Sequence, residues 1–161
     1  MATTRRLYLM RHGDAGEPPA WSGTDDERPL SGLGRTRSRQ MAMRLKKMGV
    51  SPGLVIASPL VRARQTAEIA GKALGVPDLV AIDERVGPGF DITAVRSSLA
   101  EFGGVGDLLL VGHEPSFSST VSDLIGGGEV VMKKGAVARI DVSRPSVPRG
   151  RLAWLLTPAT L

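Results

Sequence analysis

A chain of 161 residues, 42% apolar and 23% charged, has the length of one domain (residues 1–161) and enough apolar side chains for a core. It has no cysteine, which excludes a disulfide scaffold, an iron–sulfur cluster, thiolate zinc and a cysteine nucleophile. The basic excess sits at the two ends, 12 Lys and Arg against 5 Asp and Glu in residues 1–64 and 6 against 1 in residues 133–161.

In chain order, Leu7–Met10 is a short apolar run that stops at Arg11-His12-Gly13, as a buried strand ending in a loop would. Residues 13 to 30 carry prolines, glycines, Trp21 and the cluster Asp25-Asp26-Glu27, and are expected to be a long loop. Ser31 is placed to cap a helix running to Met48, with Met41, Leu45 and Met48 on its apolar face and Gly49 as its left-handed stop. Leu54–Ala57 is a second strand, followed by Ser58-Pro59 and a helix over 60–74 whose apolar positions are Leu60, Ala63, Ala67 and Ala70. Leu79–Ile82 is a third strand and 91–102 a helix. Asp107–Val111 is a buried strand stopping at Gly112-His113, and Pro115 opens a helix that the glycines 126–128 end. Ala136–Val142 and Arg151–Leu156 are expected as an antiparallel pair at the sheet edge. The alternation predicts an α/β fold, a three-layer α/β/α sandwich around a mostly parallel sheet.

No apolar run approaches the roughly 18 residues of a membrane span. Arg11 interrupts the N-terminal apolar run at once, unlike a secretory leader, so a cytoplasmic protein is expected. The six aromatics Tyr8, Trp21, Phe90, Phe102, Phe117 and Trp154 are scattered without a stacking pattern, which argues against nucleic acid as the partner of the basic ends. The basic stretch from Lys133 to Arg151 is read as solvated surface. A domain of this size can act as a monomer.

Ligands of open α/β sheets bind at the carboxyl ends of strands. Both histidines of the chain, His12 and His113, fall at such ends, and Arg62 lies in the first turn after another. Arginine forks match phosphate oxygens, and a neutral imidazole nitrogen can carry a phosphoryl group covalently. A second imidazole, if protonated, would stabilise the charge that develops on the phosphoryl oxygens. Taken singly, each residue has a plainer reading: a lone strand-end histidine is more often structural, and Arg62 alone is an ordinary helix residue. A metal site built from both histidines with Asp14 or Glu114 lacks any HxH, HxxxH or HExxH spacing. Their joint occurrence favours phosphoryl transfer.

Leu7-Tyr8-Leu9-Met10-Arg11-His12-Gly13 resembles the hallmark motif of the histidine phosphatase superfamily, whose fold is phosphoglycerate mutase-like. Ser58-Pro59-Leu60-Val61-Arg62-Ala63-Arg64-Gln65-Thr66-Ala67 and Val111-Gly112-His113-Glu114-Pro115 resemble its later motifs. The short chain, Met10–Ala15 and Arg28-Pro29-Leu30-Ser31 are most similar to the small SixA-type phosphohistidine phosphatases. The resemblance implies that His12 is the nucleophile, that Arg11, Arg62 and His113 bind the phosphoryl oxygens, and that neither metal nor organic cofactor takes part. A phosphohistidine-containing protein or a small phosphorylated molecule is the implied substrate.

Two further candidates stand outside those motifs. Arg28 is a candidate substrate-binding residue, with pairing to Asp25, Asp26 or Glu27 as its structural alternative. No motif for a leaving-group acid is matched; Glu84 and Asp14 are the nearest candidates. An imidazole leaves readily near neutrality whereas an alkoxide needs a placed acid, so the gap favours a phosphoramidate substrate. A phosphatase of small esters or anhydrides, or a module that binds phosphohistidine without turnover, are the alternatives.

Overall fold

The structure, a computed structural model, describes residues 4–144 and 146–158. Six strands form one sheet: β1 (Arg5–Arg11), β2 (Leu54–Ala57), β3 (Val80–Ile82), β4 (Leu108–Gly112), β5 (Val137–Val142) and β6 (Gly150–Leu156). Their order across the sheet is β3-β2-β4-β1-β5-β6. The first four are mutually parallel, and β5 and β6 add an antiparallel edge. Four helices accompany them: α1 (Gly32–Lys47), α2 (Val61–Ala73), α3 (Ile92–Phe102) and α4 (Ser116–Ile125).

Strand alternation sorts the core onto two faces. Tyr8, Met10, Val55, Ala57, Leu109 and Val111 pack with Met41 and Leu45 of α1 and Ala63, Ala67 and Ala70 of α2. Leu7, Leu9, Ile56, Leu108 and Leu110 turn the other way, onto Val95 and Leu99 of α3 and Phe117, Val121 and Leu124 of α4. The result is the expected three-layer α/β/α arrangement. Each fully buried leucine contributes about 1.5–3 kcal/mol, and both faces carry several. Ser31 caps α1 by accepting from the Gly34 amide at 3.0 Å, and Gly49 follows the helix at φ +80°. Met48, expected on the apolar face, is instead exposed. It sits one residue past the helix, as its C-cap.

Parallel pairing aligns the ends of the central strands. Arg11 lies opposite Gly112, and Ala57 opposite Val111. The ladder continues one step further: the His12 amide donates to the Gly112 carbonyl and the Ser58 amide to the Val111 carbonyl. The next residues, His12, Ser58 and His113, therefore emerge side by side from three adjacent strands.

Candidate active site

His12 sits at the end of β1 with only 7% of its surface exposed. Its Nδ1 is 2.7 Å from the Gly13 carbonyl oxygen. A carbonyl only accepts, so Nδ1 carries the proton and Nε2 holds the lone pair. Burial, with His113, Arg62 and Arg11 adding positive surroundings, pushes the pKa down to about 3, against the smaller opposing effect of the Gly13 bond. The imidazole is thus neutral at pH 7, with Nε2 unprotonated. The Gly13 amide donates to Thr66 Oγ1, which in turn donates to the Arg62 carbonyl, tying this loop to α2.

Arg62, in the first turn of α2, donates from Nε to Nε2 of His12 at 3.3 Å. The His113 ring lies 5.2 Å from that of His12, centre to centre, and its Nε2 meets Ser58 Oγ at 2.7 Å. Burial first, then the Arg62 charge, lowers the His113 pKa to about 4, although Asp25 opposes this. Arg11 donates from Nη1 to the Met132 carbonyl, while its buried Nε has no partner. Its charge acts on both imidazoles. The structure thus brings Arg11, His12, Arg62 and His113 into one cluster. One guanidinium, that of Arg62, meets Nε2 of the neutral imidazole and the Arg11 charge acts on the same ring, an arrangement suited to attack on an anionic phosphorus centre.

The loop over this cluster is more ordered than the composition suggested, with 3₁₀ turns at Pro18–Ala20 and Asp25–Glu27. Arg28 is buried and spends its guanidinium on the loop itself: Nη1 donates to the Ala15 and Gly16 carbonyls, and Nε donates to Asp25. Asp25 then bridges to Arg62, accepting from Nη2 on its carboxylate at 3.0 Å and from Nη1 on its backbone oxygen at 2.7 Å.

Neither acid candidate is arranged to deliver a proton. Asp14 accepts from Ser31 Oγ, Lys134 Nζ and the Gly16 amide, and these bonds hold its carboxyl down at about 2 despite partial burial. Glu84 is exposed and bonded to none of the four clustered residues. Glu114 accepts from the Ser118 amide at the start of α4. Among the described residues no three His, Asp or Glu side chains gather as a metal site would require.

The sequence singles out the strand ends but gives Ser58 and Thr66 no role, and names Asp25 only as one of three pairing candidates for Arg28, the pair the structure shows. The signal for the first two was present, since Ser58 directly follows β2 and Thr66 lies one helical turn after Arg62.

The sequence pattern of the histidine phosphatase superfamily (branch 1) matches residues 7–86. The phosphohistidine phosphatase SixA of Escherichia coli K12 is 31% identical over 159 residues, which cover 97% of this chain and 96% of the relative. A solved structure of the protein histidine phosphatase SixA with tungstate superposes with a TM-score of 0.86 at 29% identity, covering 96% of this chain and 98% of the other. A mycobacterial glucosyl-3-phosphoglycerate phosphatase shares the fold at a TM-score of 0.73 and 20% identity, over 93% of this chain and 98% of its own.

Proposed function

This chain belongs to the histidine phosphatase superfamily and is a phosphatase; from that premise we propose that it hydrolyses phosphohistidine through a covalent phosphoenzyme on His12, without a metal. One observation carries the mechanism: a buried, neutral His12 presents its Nε2 lone pair beside Arg62 Nε. In the first step Nε2 bonds to phosphorus while the bond to the leaving group breaks, its electron pair departing with that group. Arg62 and Arg11 bind the phosphoryl oxygens as charge spreads over them in the transition state. His113, a neutral imidazole in this pocket, supplies its one N–H at the same oxygens. Water then attacks the phosphorus, releasing phosphate and restoring the His12 lone pair. Arg28 contributes to substrate binding by holding Asp25 and the loop over Arg62.

The leaving group is the finer part of this reading. A phosphate ester needs a proton delivered to its departing oxygen. Asp14 is ionised and bound on three sides, and Glu84 is exposed and bonded to none of the cluster. That favours a phosphoramidate over an ordinary ester, in line with what SixA is named for. The partner is then a phosphohistidine-bearing protein.

The test is phosphate release from a phosphohistidine peptide and a phosphoserine peptide, with chelator present and His12→Ala alongside. Release from phosphohistidine alone, abolished in the variant, is expected. Release from phosphoserine only would move the assignment to ester hydrolysis. Loss of activity on adding chelator would end the metal-free mechanism.

A further inference from the structure

The carboxylate of Asp25 occupies an unusual position for an acid in a phosphate site. Its two guanidinium partners are buried, with side-chain exposures of 8% for Arg62 and 11% for Arg28, yet its own side chain is 56% exposed. It stands where the buried cationic floor meets solvent. In-line displacement places the leaving group on the far side of phosphorus from His12 Nε2, away from that floor. Asp25 is the carboxylate bonded to Arg62; Asp14 and Glu114 are engaged elsewhere.

We propose that Asp25 forms the leaving-group subsite, accepting a hydrogen bond from the ring N–H of a phosphoimidazole and selecting a protonated imidazole over an alkoxide. The inference rests on the phosphohistidine reading above. Each carboxylate oxygen can accept two hydrogen bonds. Oδ1 accepts from Arg28 Nε and lies 3.1 Å from its Nη2, whereas Oδ2 accepts from Arg62 Nη2 and, on a side chain more than half exposed, keeps a second acceptor site. The two guanidinium groups also keep Asp25 ionised.

The chemistry balances without an acid. As His12 Nε2 bonds to phosphorus, the P–N bond breaks and its electron pair stays on the departing ring nitrogen. The other ring nitrogen keeps its proton throughout, held against Oδ2, so the group leaves as neutral imidazole. A serine alkoxide would have to depart beside this negative charge with no proton supplied.

The experiment compares kcat/KM of wild type and Asp25→Asn on phosphoimidazole and on p-nitrophenyl phosphate, whose leaving group has no N–H and needs no proton. Asparagine keeps one acceptor oxygen for Arg62 and loses the one that Arg28 holds, while the loop stays tied by the Asp25 backbone carbonyl on Arg62 and by Arg28 on the Ala15 and Gly16 carbonyls. The variant should lose roughly 10- to 100-fold more on phosphoimidazole than on the aryl phosphate, the loss on the latter reporting only the altered Arg62 contact. Asp25 faces Arg28, Arg62 and, more distantly, His113. With its charge removed, the high-pH decline on phosphoimidazole should move to lower pH, because the ring loses its proton sooner. Equal losses on both substrates, no loss on either, or an unmoved decline would overturn the subsite and leave the phosphohistidine reading standing. A wild type that cleaves the aryl phosphate but not phosphoimidazole would overturn the reading itself.

Discussion

Arg62 donates from Nε to Nε2 of His12 across 3.3 Å, joining residues 50 apart in the chain at the meeting point of β1 and α2. The same guanidinium holds Asp25 through both Nη atoms. Three directed bonds from one planar fork explain why arginine stands there. A lysine ammonium is a point charge on a flexible stem and cannot span both partners. Arg62→Lys and Arg62→Ala should each lower kcat by about 10²–10³ through lost charge stabilisation. Steady-state rates on an aryl phosphate check this, with the far-UV spectrum unchanged; a lysine variant with near wild-type kcat would remove Arg62 from the phosphoryl site.

The depressed histidines set the acid side of the pH profile. His12 must be neutral to attack, and an ordinary imidazole would lose half its activity near pH 6.5. Here protonation of the free enzyme is deferred to about 3 for His12 and about 4 for His113. On a substrate with no titration of its own above pH 4, kcat/KM should stay flat from pH 7 down to about 5. A fall centred near 6.5 would mean that the pocket admits water and the imidazole is not desolvated.

The same shifts act oppositely on stability. In the unfolded chain both imidazoles take up protons below about 6.5, whereas in the folded chain they resist until about 3 and 4. Between those limits the unfolded state binds more protons, so stability falls as pH falls, by up to about 1.4 kcal/mol per pH unit for each histidine. Ordinary carboxylates stay ionised above about pH 5, which isolates the effect. Urea midpoints should therefore drop from pH 7.5 to 5.0 in wild type. The drop should shrink in the double variant His12→Asn, His113→Asn, and an undiminished drop would place the titrating groups elsewhere.

Much of this was legible because it is local or periodic. The continuous apolar runs of β1, β2 and β4, the Ser31 cap and the glycine stop after α1 all report on neighbours a few residues apart. The strand-end motifs exposed Arg11, His12, Arg62 and His113 because a parallel sheet gathers its strand ends on one edge. What escaped was long-range pairing. Thr66 with Gly13, Asp25 with Arg62 and Ser58 with His113 span 53, 37 and 55 residues. No periodicity encodes such bonds; they exist once the strand order is set. Arg28 shows the limit from the other side, since the sequence offered both a substrate contact and an Asp25 pair, and only side-chain geometry shows the guanidinium turned onto its own loop.

Two glycines at the start of α1 separate a packing requirement from helix propensity. The Gly13–Asp14 segment beside His12 runs so close to α1 that a Cβ on Gly34 would lie 2.0 Å from the Asp14 carbonyl oxygen, a backbone atom that cannot step aside. At Gly32 a Cβ would meet nothing within 4 Å. Gly34→Ala should therefore cost about 1–3 kcal/mol from overpacking, and it should also lower kcat, because relief of the clash moves the loop that carries His12. Gly32→Ala should leave kcat unchanged and stabilise the fold by up to about 1 kcal/mol through helix propensity and a less free unfolded chain. Thermal melts and steady-state rates on both variants check the pair. If Gly34→Ala is as stable and active as Gly32→Ala, the close approach of α1 to the nucleophile loop is not what holds His12 in place.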